Sequence, residues 1–130
     1  MKSALYAANT VATAVEDGGT INFGNTIRRF GCNTRMEGPN PFVKGAGYYR
    51  LTTNVTITPS ANGIGTITLY KNGVVIPGAT SQLVVASNSP YSFVVISIVR
   101  EVCDCESAIT ARISGIGGTV NNAAIAIEKL

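Results

Sequence analysis

Residues 48–58 read Tyr-Tyr-Arg-Leu-Thr-Thr-Asn-Val-Thr-Ile-Thr. Successive side chains of an extended chain point to opposite faces, so Tyr49, Leu51, Thr53, Val55 and Ile57 share one side of this stretch. Tyr48, Arg50, Thr52, Asn54 and Thr56 share the other. One row is apolar and one is polar, which is the pattern of a strand with a single face on a core. Gly45-Ala46-Gly47 just ahead of it permits a tight entry into the strand.

Outward from this strand the same grammar continues. Lys71-Asn72-Gly73 followed by Val74-Val75 is a hairpin signal, because Asn-Gly tolerates the positive φ values of a type I′ turn. Short β-type runs separated by Gly, Asn, Pro and Ser clusters fill the remainder, and helix signals are nearly absent. The runs are 5–15, 20–23, 32–36, 41–44, 48–58, 65–71, 74–76, 82–86, 91–100, 107–114 and 119–129. An apolar share of 45% with 13% charged residues argues against disorder, and 130 residues suffice for one domain over 1–130 with a real core. The expectation is a single all-β domain, an antiparallel sandwich or barrel.

Some runs lack the clean alternation. In 91–100, Tyr91, Phe93, Val95 and Val99 lie on one side while Val94, Ile96 and Ile98 lie on the other. Ala123, Ile125 and Ile127 sit opposite Ala124 and Ala126, and 5–15 is mostly small or apolar on both faces. A two-layer sandwich buries only one face of each strand, so the second face is expected to meet another copy of the chain.

Other function classes are disfavoured. The chain has no His, which removes the commonest general base and the usual partner of a Ser or Cys nucleophile. Glu16-Asp17, Glu101, Asp104 and Glu106 fall at predicted turns and read as solvated loop charges, so no enzyme activity and no cofactor are expected. The net charge is +3, but the basic residues are spread along the chain and Arg28-Arg29 is their only adjacent pair, so nucleic acid is not an expected partner. That pair reads as solvated, or else as a bridge to Glu101 or Asp104 of a neighbour. No stretch approaches the roughly 20 apolar residues that span a bilayer, and 4–15 is interrupted by Asn9, Thr10 and Thr13, unlike the apolar centre of a signal peptide. No membrane association is expected.

Cys32, Cys103 and Cys105 form a candidate thiol cluster with three readings: reduced thiols, a bridge from Cys32 to Cys103 or Cys105, or a thiolate metal site. A Cys103–Cys105 bond is disfavoured if the segment is extended, since i and i+2 positions then lie near the upper Cα separation limit. The readings stay open here, with no metal assigned. Tyr6, Tyr48, Tyr49, Tyr70 and Tyr91 read as core or interface residues, with a sugar-stacking set as the alternative.

Gly47-Tyr48-Tyr49-Arg50-Leu51 opening a long strand, then Ile67-Thr68-Leu69-Tyr70-Lys71-Asn72-Gly73 leading into a hairpin, resembles the middle of the tumour necrosis factor-like and complement globular-head family. The chain is also similar to small proteins of gut Firmicutes and their phages in Tyr6-Ala7-Ala8-Asn9-Thr10, Ile27-Arg28-Arg29-Phe30-Gly31-Cys32 and Cys103-Asp104-Cys105-Glu106-Ser107. The resemblance implies an antiparallel jelly-roll β-sandwich of about ten strands. It also implies a tight homotrimer, with Tyr6, Tyr91, Phe93 and Val95 at or next to the interface and the face of 119–129 that meets the axis left open. There is no Gly-X-Y repeat, coiled-coil stalk or membrane anchor, so the chain reads as the head alone. The leading expectation is a non-enzymatic phage virion decoration, head-fibre or fibre-tip protein, assembled in the bacterial cytoplasm with other virion proteins. The alternatives are an adhesive head of a bacterial surface or spore coat, facing surface proteins or a host glycan, and a cytokine-like receptor ligand.

Overall fold

The computed structural model describes residues 2–130; Met1, where the segment read for a leader begins, lies outside them. Eleven strands run in chain order: β1 (Ala4–Asn9), β2 (Thr13–Val15), β3 (Asn25–Phe30), β4 (Thr34–Glu37), β5 (Asn40–Lys44), β6 (Gly47–Pro59), β7 (Gly63–Lys71), β8 (Val74–Val85), β9 (Tyr91–Glu101), β10 (Glu106–Ser114) and β11 (Gly118–Lys129). One sheet has the order β3-β1-β11-β6-β9 with β2 also on β11, and the other has the order β4-β5-β10-β7-β8. Every pairing is antiparallel. Chain neighbours repeatedly lie in different sheets, which is the jelly-roll arrangement.

The long strand behaves as its alternation requires. Tyr49, Leu51, Thr53, Val55 and Ile57 of β6 are fully buried, while Tyr48 stays exposed. Between the sheets they meet Leu5, Ala7, Phe93, Val95, Ile125 and Ile127 from one layer and Val43, Ile67, Leu69, Ile109, Ala111 and Ile113 from the other, in one continuous core. The expected hairpin joins β7 to β8: Lys71 faces Val74, and Asn72 and Gly73 have φ of 51° and 80°, both positive as a type I′ turn demands. At the end of β10, Gly115 sits at φ 85° against the Ile64 carbonyl, where any Cβ would collide with backbone.

Several boundaries differ from the sequence expectation. The run 5–15 is two strands, β1 and β2, lying end to end along β11 and separated by a short excursion in which Val11 N–H donates to Asn9 Oδ1. Runs 74–76 and 82–86 are one strand, since Pro77 and Gly78 occupy a bulge opposite 68–70 and do not end the pairing. Residues 20–23 make only an isolated bridge, Thr20 to Arg112, yet Ile21 and Phe23 plug the core and Ile21 N–H bonds Ala111 O at 2.8 Å. β3 carries no apolar alternation and is exposed at all six residues; it is found only through its pairing with β1.

One end of the sandwich is fastened by polar groups. Glu101, read from sequence as a solvated loop charge, is only 4% exposed; it accepts from Ser107 Oγ at 2.6 Å and pairs with Lys71 Nζ at 2.9 Å. Lys71 also donates to Arg100 O, and Asn72 reaches across with Nδ2 to Ser107 Oγ and Oδ1 to Ala108 N–H. Tyr49 crosses beneath the neighbouring turn, its hydroxyl 2.7 Å from Lys44 O and 2.8 Å from Gly45 O, and burial holds its phenol above the usual range.

Two stability outcomes follow from these placements. Thr53 Oγ1 is buried and has no hydrogen-bond partner, so Thr53→Val is expected to raise stability by about 1 kcal/mol in urea melts. Lys71→Met strands the Glu101 carboxylate and is expected to lower it by about 3 kcal/mol, more than Glu101→Gln, which keeps an acceptor for Ser107. Equal midpoints for Lys71→Met and the parent would contradict a structural role for this ion pair.

Candidate interaction surface

The two outward faces differ in chemistry. On the five-stranded sheet the charges satisfy one another: Arg35 forks between Glu106 and Glu37 and lies over Phe42, 4.9 Å from the ring centre. Arg35 holds the Glu106 carboxyl below its usual range. Arg112 covers Tyr70 at 5.2 Å, Gln82 donates to Thr66, and Thr68 and Thr80 lie hydroxyl to hydroxyl. Glu106 is therefore no more a loose loop charge than Glu101 is.

The six-stranded sheet presents a different surface. Its registers place Arg28, Tyr6, Ala126, Thr52 and Ile96 in one row across β3, β1, β11, β6 and β9. The rows on either side run Ala8, Ala124, Asn54, Val94 and Phe30, Ala4, Glu128, Arg50, Ile98. On β9 these rows end in a ridge, with Val94 54%, Ile96 63% and Ile98 56% exposed. Over β1 and β11 they form a trough floored by alanines. One depression of about 200 Å³ is lined by Tyr6, Thr52, Asn54, Ala124 and Ala126, and another of about 250 Å³ by Ala4, Tyr6, Arg28, Phe30 and Glu128.

The expected interface residues divide between this face and the core. Tyr6 is on it, 43% exposed. Phe93 and Val95 are not: they are 1% and 2% exposed, buried inside the sandwich, and Tyr91 is half-buried with its hydroxyl accepting from Ala86 N–H. The outward row of β9 is its other one, Val94, Ile96 and Ile98. The choice was open in β9 alone, but β9 pairs with β6 through Val55–Phe93 and Thr53–Val95, and directly opposite residues share a face. The alternation of β6 therefore assigns the faces of its partner. The tyrosines do not form a sugar platform either, since Tyr49 is buried and Tyr48 and Tyr70 lie under Arg100 and Arg112.

The cysteines gather at the end of the sandwich fastened by Tyr49. The bond present is Cys103–Cys105, the one disfavoured for an extended segment. The segment bends between β9 and β10 and brings the two Cα atoms to 5.1 Å, well inside disulfide range. Cys32 is exposed, outside that bond, and lines a depression of about 270 Å³ with Asn33, Lys44 and Asp104. Among the described residues no group of three or more His, Cys, Asp or Glu side chains is placed to hold a metal ion. Arg28 and Arg29 bond within the chain, to Ile27 O and Thr34 O, and Glu101 is engaged by Lys71.

No family model matches the chain, and no curated protein matches it by sequence. Solved structures do match it. Murine APRIL at pH 5.0 aligns over all of both chains with a TM-score of 0.75 and 15% identity. Eiger TNF from S. frugiperda aligns with 0.69 and 10%, covering all of this chain and 92% of the other. The globular domain of zebrafish complement 1qA protein aligns with 0.64 and 8%, covering 98% and 95%. At such identities the likeness is one of fold, and the fold is the tumour necrosis factor-like jelly-roll sandwich.

Proposed function

We propose that the chain is a non-enzymatic interaction module that assembles as a homotrimer through the outward face of its six-stranded sheet. The observation that carries this reading is the apolar ridge of Val94, Ile96 and Ile98 beside the alanine trough over β1 and β11. Soluble monomers rarely leave such a contiguous apolar surface in water. Ridge and trough are different parts of one face, so seating the ridge of one copy in the trough of the next is a heterologous contact, which closes into a ring where the rotation between copies closes and otherwise runs on as a filament. Three copies is the ring that the family resemblance implies. Each 100 Å² of apolar surface covered contributes about 2.5 kcal/mol before the costs of association.

For its setting we favour a phage virion, as a decoration or fibre head, on the similarity of the Tyr6–Thr10, Ile27–Cys32 and Cys103–Ser107 segments to small phage proteins. The self-paired face of the five-stranded sheet would stay outward, towards other virion proteins. Capsid, portal or tail genes beside the coding sequence are the expected finding; collagen-like or sortase genes there would favour a bacterial surface head.

Light scattering at micromolar concentration is expected to give about three times the 13.5 kDa chain mass. Ile96→Asp should weaken association at least 100-fold (~3 kcal/mol) while leaving a folded β-protein by circular dichroism. Phe93→Asp, on the same strand but facing the core, should prevent folding. A parent protein that is monomeric throughout this range would defeat the assembly reading.

A further inference from the structure

We propose that the Cys103–Cys105 bond is a reversible redox site, opened by small thiols and dithiols and closed again by small disulfides, on a fold that stands in either state. The bond lies in the connection between β9, which ends at Glu101, and β10, which begins at Glu106. Val102, Cys103, Asp104 and Cys105 are all exposed, so both bonded residues are open to a reagent in solution. Access is the first requirement of exchange, because a thiolate must reach one sulfur of the bond to displace the other.

The second requirement is that the surroundings hold without the bond. A disulfide stabilises a fold chiefly by closing a loop in the unfolded chain, and the effect shrinks with the loop; here the sequence separation is 2. Both strand ends beside the connection are tied by other groups. Glu101 accepts from Ser107 Oγ at 2.6 Å and pairs with Lys71 Nζ at 2.9 Å, while Asn72 Nδ2 donates to Ser107 Oγ at 3.1 Å and Asn72 Oδ1 accepts from Ala108 N–H at 2.9 Å. Gly45 N–H donates to Cys105 O at 3.0 Å. None of these bonds uses a sulfur, so opening the disulfide leaves the ends of β9 and β10 fastened and confines the change to 102–105.

Charge does not bar the reagent either, since Glu106 pairs with Arg35, and Lys44 lines the same depression as Asp104. The step balances with a dithiol as reductant. One of its thiolates attacks Sγ of Cys103 or Cys105, the bond between the two cysteines breaks as a mixed disulfide forms, and the displaced cysteine departs as a thiolate that takes a proton from water. The second thiol of the reductant then displaces the remaining cysteine and leaves joined to the first, so two electrons pass to the protein. Two molecules of a monothiol such as glutathione do the same, and oxidised glutathione runs the sequence backwards. Exposure places this bond with the labile disulfides and not with those that resist reduction.

Peptide mapping tests the proposal on the intact chain. The native protein is equilibrated anaerobically in mixtures of reduced and oxidised glutathione, acid-quenched, and labelled with N-ethylmaleimide in denaturant before trypsin digestion. Cys103 and Cys105 share peptide 101–112, whereas Cys32 lies in peptide 30–35 and is read apart from them. As the ratio of reduced to oxidised glutathione rises from about 1:1 to about 1000:1, peptide 101–112 should pass from unlabelled to doubly labelled, and return when oxidised glutathione is added, with the circular dichroism unchanged. A peptide that stays unlabelled throughout, or is labelled only as the circular dichroism signal is lost, overturns the proposal. The double variant Cys103→Ser/Cys105→Ser provides the second arm: its melting midpoint should lie within about 5 °C of the parent's, and a larger fall would make the bond a structural staple and equally overturn it.

Discussion

The sandwich takes its orientation from the double pairing of β6, with β11 on one side and β9 on the other. A strand flanked on both sides cannot slip by one residue without turning its whole apolar row into water. Tyr49 to Ile57 supply that row, and the registers hand the same facing to Ile125 and Ile127 on β11 and to Phe93 and Val95 on β9. β1 then inherits its facing from β11, which buries Leu5 and Ala7 and turns Tyr6 outward. The character of the outer face is thus fixed by one strand whose own outer residues are mostly polar.

This dependence explains what could be read from the chain and what could not. The Asn72-Gly73 hairpin and the alternation of 48–58 are local signals, and both are present in the fold. The apolar character of both sides of 91–100 was equally plain, but deciding between Phe93 and Ile96 required a neighbour's register. β3 was invisible because a strand exposed at every residue has no period to detect. Pro77-Gly78 reads as a stop and acts as a bulge, since β8 is an edge strand and its unpaired side tolerates a missing N–H. The polar fastening was hidden for a related reason: nothing local to Glu101 shows that Lys71 and Ser107, from two other strands, converge on it.

The contrast between the two faces bears on how the molecule presents itself. Arg35 and the threonines on the five-stranded sheet engage neighbouring polar groups and Arg112 covers Tyr70, while Ile64, Val75 and Val84 stand exposed towards its β7–β8 edge. Edge protection comes from Pro77 and the bulge interrupting β8. Across the middle of the six-stranded sheet, among the described residues, the ion pair present is Arg50 with Glu128, a long 4.0 Å contact at the surface. A face with small side chains on β1 and β11 and branched ones on β9 is uneven in a way that can be filled by a complementary body, and a second copy carries both halves of that complement.

The same unevenness separates folding from assembly within a single strand. Val95 and Ile96 are adjacent, similar in size and both β-branched, yet Val95 loses its water when the two sheets close and Ile96 keeps it. Burial of Val95 belongs to the stability of the monomer, whereas any gain from covering Ile96 scales with the concentration of partner. Alternating rows of this kind let one strand specify a fold and offer an interface with no extra length of chain. The cost falls on the isolated chain, which must hold its core together with Val94, Ile96 and Ile98 contributing almost nothing to it. That core is nonetheless continuous from Leu5 to Ile127 and is closed at one end by the Lys71–Glu101 pair, so an exposed apolar ridge is compatible with a well-determined monomer fold.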